Sequence, residues 1–414
     1  MVIAAGLLPA GTCVSSRRAD EPPSRPDVRA GIDVLLADSG HLVRGRRVGL
    51  VTNQAGIDRT GRRGVDRLLE AGVAVVALFS PEHGFRGTAD PGAPVASTID
   101  STTRLPIYSL YGGNSAPTVA MLAGIDVMLV DLQDAGARYY TYLWTTVEVM
   151  RAAERRGLPV VLLDRPNPIG GLVQGNVLDT SYRSAVGLLA VPMRHGMTLG
   201  ELARLARHDL GLATSLTVIP VRGWRRGMYF DETGLPFVPP SPNLRSLEAL
   251  IHYPGLCLFE GTALSVGRGT DHPFEQVGAP GVDTVRVLAS VRSRGLPGVA
   301  FEGAHFTPRN PGDGKFDGVP VVGIRLRVVD RAAYDPPRTA LILLGAMTDV
   351  SGVALFPPDT RHFDRLVGDG GRAGEAVQLP GPPALVLRTA VLQSWAEESD
   401  RFLERRRQFL LYPE

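Results

Sequence analysis

Two cysteines in 414 residues, Cys13 and Cys257, are too few for a disulfide framework. Lysine is scarcer still. Lys315 is the only one, so the remaining basic residues are all arginine, a bias of the kind a GC-rich genome imposes. The 44 basic residues meet 42 acidic ones, and a net charge of +2 offers no electrostatic grip on nucleic acid or an anionic membrane. Beyond the N-terminal segment, no stretch reaches the roughly 18 apolar residues that a membrane span needs. Local signatures are missing too. No strand leads into GxGxxG, no Gly-Lys-Ser/Thr loop occurs, and no GxSxG elbow is present. His83, His195 and His272 stand far apart, without HxH, HExxH or paired-cysteine spacing, so no metal site is read.

What is present is ordinary globular composition, 44% apolar and 21% charged, in a chain long enough for two domains. Val2–Ala10 is apolar and is followed by a Pro-, Ser- and Arg-rich segment up to Pro26. That order resembles the tail of a bacterial export signal, with Cys13 as a candidate lipid-anchor site. The absent basic n-region and the poor lipobox Ala10-Gly-Thr-Cys13 count against it. Residues 1–27 are thus expected to be a signal remnant and linker on an exported bacterial protein. Cys257, within Leu256-Cys-Leu-Phe259, reads as a small buried hydrophobe.

From there apolar runs alternate with helical segments. Strands are expected at 47–53, 73–78, 106–111, 125–131, 158–164 and 216–221. A helix carries Leu143, Val147 and Met150 at the spacing of one buried face, and Thr198 with Glu201 forms a capping box opening another. Near-continuous apolar strands between helices predict a Rossmann-like, doubly wound, mostly parallel α/β sheet over 28–238. Prolines 236, 239, 240 and 242 mark a crossover into a smaller α+β domain, 239–414, that closes the cleft. There the pattern predicts helices near 285–293 and 338–347 and a strand at 321–329. No internal repeat appears.

In such sheets ligands sit beyond the carboxyl ends of the strands. The run Val73–Leu78 empties there into Phe79-Ser-Pro-Glu-His-Gly-Phe-Arg-Gly87, which makes Glu82, His83 and Arg86 the leading site candidates. Other strand ends offer Asn53, Asp131, Asp134, and Asp164-Arg-Pro-Asn167. Glycosidic hydrolysis commonly uses two carboxylates, and the supply is ample. The bland alternative is that Asp131 and Asp164 cap helices or tie loops, and that His83 and His195 are hydrogen-bonded supports. A Gly-rich loop, Glu260 to Phe274, is the second candidate site, with Arg268 able to grip a carboxylate.

Several of these segments recur in one order: Thr52-Asn-Gln, Phe79–Gly87, Ser109–Gly112, Asp131–Tyr142, Leu163–Pro168 and Arg194–Thr198. Pro240–Asn243, Tyr253-Pro-Gly255 and Gly267–Thr270 follow. Together they resemble the DUF1343 family, the exo-acting β-N-acetylmuramidases called NamZ, from about Gly31 to the C-terminal region. The resemblance implies release of N-acetylmuramic acid from the non-reducing ends of peptidoglycan fragments, in cell-wall turnover and recycling, with no cofactor. It makes Glu82 the expected catalytic residue; glycosidase chemistry then makes Glu82 the expected general acid, its pKa raised by partial burial, and Asp131 or Asp134 the expected second carboxylate, with Glu260 behind them. Arg138, Arg165 and Arg268 are expected to meet the lactyl carboxylate of the sugar. Asn53, His83, Arg86, Tyr142, Asn167 and His195 stand as further substrate contacts. One departure is visible: the family loop typically reads EGTNLSEGRGT, and here Ala263 and Val266 replace the Asn and Glu. That departure motivates a rival reading, a non-catalytic binder of cell-wall sugars on the same fold. A metal-dependent hydrolase using Asp131, Asp134 and His83 is a second rival.

Overall fold

The computed structural model describes residues 27–413. The apolar N-terminal stretch, Cys13 and the proposed signal lie outside the described residues. The strands in chain order are β1 (Arg47–Thr52), β2 (Ala74–Ser80), β3 (Thr98–Ile99), β4 (Pro106–Ser109), β5 (Val127–Asp131) and β6 (Val160–Leu163). A two-stranded ribbon of β7 (Gln174–Val177) and β8 (Pro192–Arg194) precedes β9 (Leu216–Ile219). The main sheet has the order β3-β4-β2-β1-β5-β6-β9, parallel throughout except for β3, which pairs antiparallel with β4. The fold class is therefore the doubly wound α/β sheet expected.

Both faces are covered, and the two-residue period of a strand divides the side chains between them. In β5, Met128 and Val130 join one apolar cluster while Val127 and Leu129 join the other. Helices α1 (Gly31–Val34) and α2 (Gly64–Glu70) cover the second cluster. Helices α3 (Tyr142–Glu154) and α4 (Leu199–Asp209) cover the first. Helix α4 opens with the Thr198–Glu201 capping box read from sequence. The chain leaves β1 toward β2 and β4 and then returns to β5 on the other side. That reversal is the topological switch point where such sheets bind ligands.

The second half begins with α5 (Leu247–Leu256) and holds a three-stranded antiparallel sheet. Its order is β10 (Gln276–Ala279), β12 (Val321–Val328), β11 (Val299–Phe306). Helices α6 (Thr284–Arg292), α7 (Pro336–Val350), α8 (Arg361–Val367), α9 (Arg372–Gln378) and α10 (Pro382–Arg406) complete it. The α+β character and the helices at α6 and α7 agree with the sequence reading. Helices α5 and α10 were not foreseen, for opposite reasons. Residues Ala249–Leu256 of α5 are buried all round, so no polar face marks its period. The buried stripe of α10 includes Val391, Trp395 and Phe402 but also Arg388, Ser399 and Arg406, which dilute its apolar signal.

The halves interlock. Helix α10 packs on the β7–β8 ribbon, where Ser399 Oγ donates to the Gly175 carbonyl at 2.9 Å and Glu398 accepts from Val177 N–H at 2.9 Å. Near the end of the chain, the Tyr412 hydroxyl donates to Asp164, which also accepts from Thr198 Oγ1 at 2.6 Å and Gly200 N–H at 2.9 Å. Asp164 thus caps α4, as the bland reading held. Burial pushes its carboxyl up to about 6 despite these donors. A raised folded pKa means the neutral form is favoured in the fold, so stability is lost as pH rises from about 4 to about 6. The loss is about 2–3 kcal/mol. Urea midpoints at pH 4 and pH 6.5 should show this component in wild type and lack it in Asp164→Asn.

Candidate active site

The loops beyond β2 and β4 face the Gly-rich loop of the second half across a cleft of about 470 Å³. The first half contributes Glu82, His83, Tyr111 and Thr141. The second contributes Glu260, Arg268, Asp313, Lys315 and His362. The cleft therefore exists only when both halves are in place.

Glu82 follows Pro81 at the end of β2 and is only 8% exposed. Its Oε2 accepts from the Thr141 hydroxyl at 2.6 Å and its Oε1 from Gly92 N–H at 3.0 Å. Burial and the adjacent Glu82 carboxylate push the Tyr111 hydroxyl up to about 12. The carboxyl is thus oriented by three elements. His83 adopts the left-handed region, φ 69°, a costly conformation for a residue with a side chain. Its Nδ1 lies 2.9 Å from the Ala89 carbonyl, which can only accept, so Nδ1 carries the proton. Burial lowers the imidazole pKa, and its neutral form leaves Nε2 as an acceptor.

Opposite stands Arg268, between Gly267 and Gly269 at φ 76° and 73°. A Cβ at Gly269 would lie 2.5 Å from the Arg309 carbonyl oxygen, so only glycine lets the two loops meet. Arg268 Nε donates to Glu260 Oε1 at 2.7 Å, Nη2 bonds the same oxygen, and the guanidinium lies 5.1 Å from the centre of the Phe274 ring. Its Nη1 is buried with no hydrogen-bond partner among the described residues. Burial alone would raise the Glu260 carboxyl, but the Arg268 charge brings it below the usual range. The lone lysine closes this wall. Lys315 Nζ donates to the carbonyls of Glu260 (3.0 Å), Thr262 (2.7 Å) and Leu264 (3.1 Å), and burial lowers its pKa.

Of the residues expected from sequence, Glu82, His83, Glu260 and Arg268 come together in this cleft. Asn53 and Tyr142 lie behind it: Asn53 Nδ2 donates to the Tyr142 hydroxyl at 2.6 Å, and that hydroxyl donates to the Pro240 carbonyl at 3.1 Å. They hold the proline-rich crossover against the sheet. Asp131 and Asp134 do not line the cleft. Asp131 is occupied by a bidentate pair with Arg165, whose Nε and Nη2 lie 2.6 and 3.0 Å from its oxygens, and Arg165 also donates to the Ile57 carbonyl. Asp134 accepts from Gly136 N–H at 2.7 Å, with His195 Nε2 3.5 Å away. Asn167 ties Met197 and Ile169, and Arg86 is exposed and reaches Ser101. The set Asp131, Asp134 and His83 is not assembled, and among the described residues no group of three or more His, Cys, Asp or Glu is placed to hold a metal.

Arg138 is also elsewhere. Buried in the interior, it donates to the carbonyls of Asn176 (2.7 Å), Leu366 (2.7 Å) and Val367 (2.5 Å), clasping α8 to the ribbon. Its replacement by Met strands those acceptors. A loss of about 3 kcal/mol or more is expected in urea titration, with KM of the folded fraction unaltered.

The comparisons with known proteins point one way. Models for the N-terminal and C-terminal parts of the exo-β-N-acetylmuramidase NamZ match residues 48–248 and 251–412. The chain belongs to the NamZ family. Peptidoglycan β-N-acetylmuramidase NamZ of Bacillus subtilis is 38% identical over 423 residues, covering 98% of each chain. Two crystal structures of DUF1343 proteins from Bacteroides fragilis, both 31% identical, cover 94% of this chain with TM-scores of 0.83 and 0.73. They are covered over 100% and 99% of their own lengths.

In this NamZ-family chain the loop departures lie away from the cleft. Val266 is fully buried in the core, and Ala263 bonds through its backbone to the Leu355 carbonyl. Tyr111, Thr141, Asp313, Lys315 and His362 were not picked out by sequence as site residues. The signal available for Lys315 was its singularity in an arginine-rich chain.

Proposed function

We propose that this protein is an exo-acting glycoside hydrolase that releases N-acetylmuramic acid from the non-reducing ends of peptidoglycan fragments. Glu82 acts as general acid on the glycosidic oxygen. The observation that carries the reading is the pairing, across one cleft, of the oriented Glu82 carboxyl with a buried Arg268 N–H that lacks a partner. N-acetylmuramic acid presents both a scissile acetal and a lactyl carboxylate, and these two groups answer them. Glu260 is held by Arg268, so the second carboxylate role falls to Asp313, which faces the cleft and, among the described residues, is paired with no guanidinium. The family and the Bacillus subtilis relative, named for a peptidoglycan β-N-acetylmuramidase, support the substrate class. Work on such fragments fits export and a part in wall turnover and recycling.

The test is incubation with peptidoglycan fragments ending in N-acetylmuramic acid, read by mass spectrometry. Free N-acetylmuramic acid is expected. Saturable binding without release would establish the non-catalytic binder instead, whose motive weakens because Ala263 and Val266 do not line the cleft.

A further inference from the structure

A second, larger cavity of about 720 Å³ lies beside the Glu82 cleft. Four chain segments place consecutive residues in the two spaces. Asp90 lines the second cavity and Pro91 the cleft; Pro242 the cavity and Ser241 the cleft; Gly269 the cavity and Arg268 the cleft; Pro311 the cavity and Gly312 the cleft. Successive Cα atoms are 3.8 Å apart, so the partition is one residue thick. The segments also bind one another. Arg309 N–H donates to the Gly269 carbonyl at 2.9 Å, and Arg245 donates to the carbonyls of Pro242 (2.8 Å) and Thr270 (3.4 Å).

We propose that this cavity is the leaving-group subsite, taking the saccharide that continues beyond the scissile bond. The inference rests on the exo-acting function proposed above. An enzyme that removes a terminal sugar has no chain on the side of the released unit, so all remaining substrate extends from the other side of Glu82. The adjoining cavity is where it goes. Its chemistry suits hydroxyl and acetamido groups: the lining includes the carboxylates of Asp90, Asp271 and Glu302, the amides of Asn243 and Gln276, and the guanidinium of Arg309. Arg325 Nε is buried there with no hydrogen-bond partner among the described residues. Arg325 is already paired with Glu275, so only Arg245 and Arg309 stand against the three acids, and this net acidic wall favours a glycan over the anionic peptide stem.

The experiment compares kcat/KM on a chromogenic N-acetylmuramic acid glycoside with that on a tetrasaccharide ending in N-acetylmuramic acid, with and without peptide stems. The peptide-free tetrasaccharide should be preferred by about tenfold, and Arg309→Ala and Asp271→Ala should each cut that preference severalfold through KM. Both side chains are exposed, so the fold does not depend on them. A preference unaffected by either substitution, or one seen only with peptide-bearing substrate, overturns the inference. If no substrate is cleaved, the function proposed above fails, and calorimetry with the tetrasaccharide still reads the cavity. Binding weakened about tenfold by Arg309→Ala supports it, and equal binding overturns it.

Discussion

A Glu82→Gln protein releases N-acetylmuramic acid about 10³-fold more slowly than wild type, with kcat rather than KM carrying the loss. General acid catalysis contributes about 10²–10⁴ in rate, and an amide cannot give up the proton that the departing oxygen needs. The fold should survive. The glutamine carbonyl can keep Gly92 N–H, and the Thr141 hydroxyl, which now donates to Oε2, can rotate to accept from the amide. Thermal unfolding within about 1 kcal/mol of wild type would therefore accompany the lost activity. Turnover of a chromogenic N-acetylmuramic acid glycoside near the wild-type rate would remove Glu82 from the mechanism.

Arg268→Ala removes the discrimination between N-acetylmuramic acid and N-acetylglucosamine glycosides. The two sugars differ by the lactyl carboxylate, and a charge-assisted bond from a desolvated guanidinium is worth about 1.5–3 kcal/mol. A fall of about 10- to 150-fold in kcat/KM is expected for the muramic acid substrate, and a much smaller one for the glucosamine substrate. The substitution also strands Glu260, which would cost stability as an unpaired carboxylate. Arg268→Ala combined with Glu260→Gln separates the effects: stability should return and discrimination should not. If discrimination survives in the double variant, the carboxylate is bound elsewhere.

The arrangement of Arg268 and Glu260 shows what could be read from the chain and what could not. The residues are eight positions apart in one Gly-rich loop, and their pairing follows from local geometry, so both were recognisable as site candidates. Lys315 comes from a distant segment and reaches the same loop only through tertiary contact. Asp131 and Arg165 make the opposite case. At strand ends they looked like catalytic carboxylate and substrate clamp, yet 34 residues apart they meet and occupy one another. Arg138 is expected at the sugar because the lactyl carboxylate calls for an arginine, and the fold turns it inward onto backbone carbonyls.

By itself the sequence determined the alternation of buried strands and helices, the capping of α4, and the loop beyond β2 that carries Glu82. Each depends on periodicity or on contacts a few residues apart, which a chain displays without folding. Tertiary structure alone decided which charged groups are left free. A carboxylate or guanidinium buried with an opposite charge is withdrawn from chemistry, and its partner is chosen by packing between distant segments. That choice removed Asp131 and Arg165 from the cleft, left Glu82 oriented within it, and set Arg268 Nη1 there without a partner.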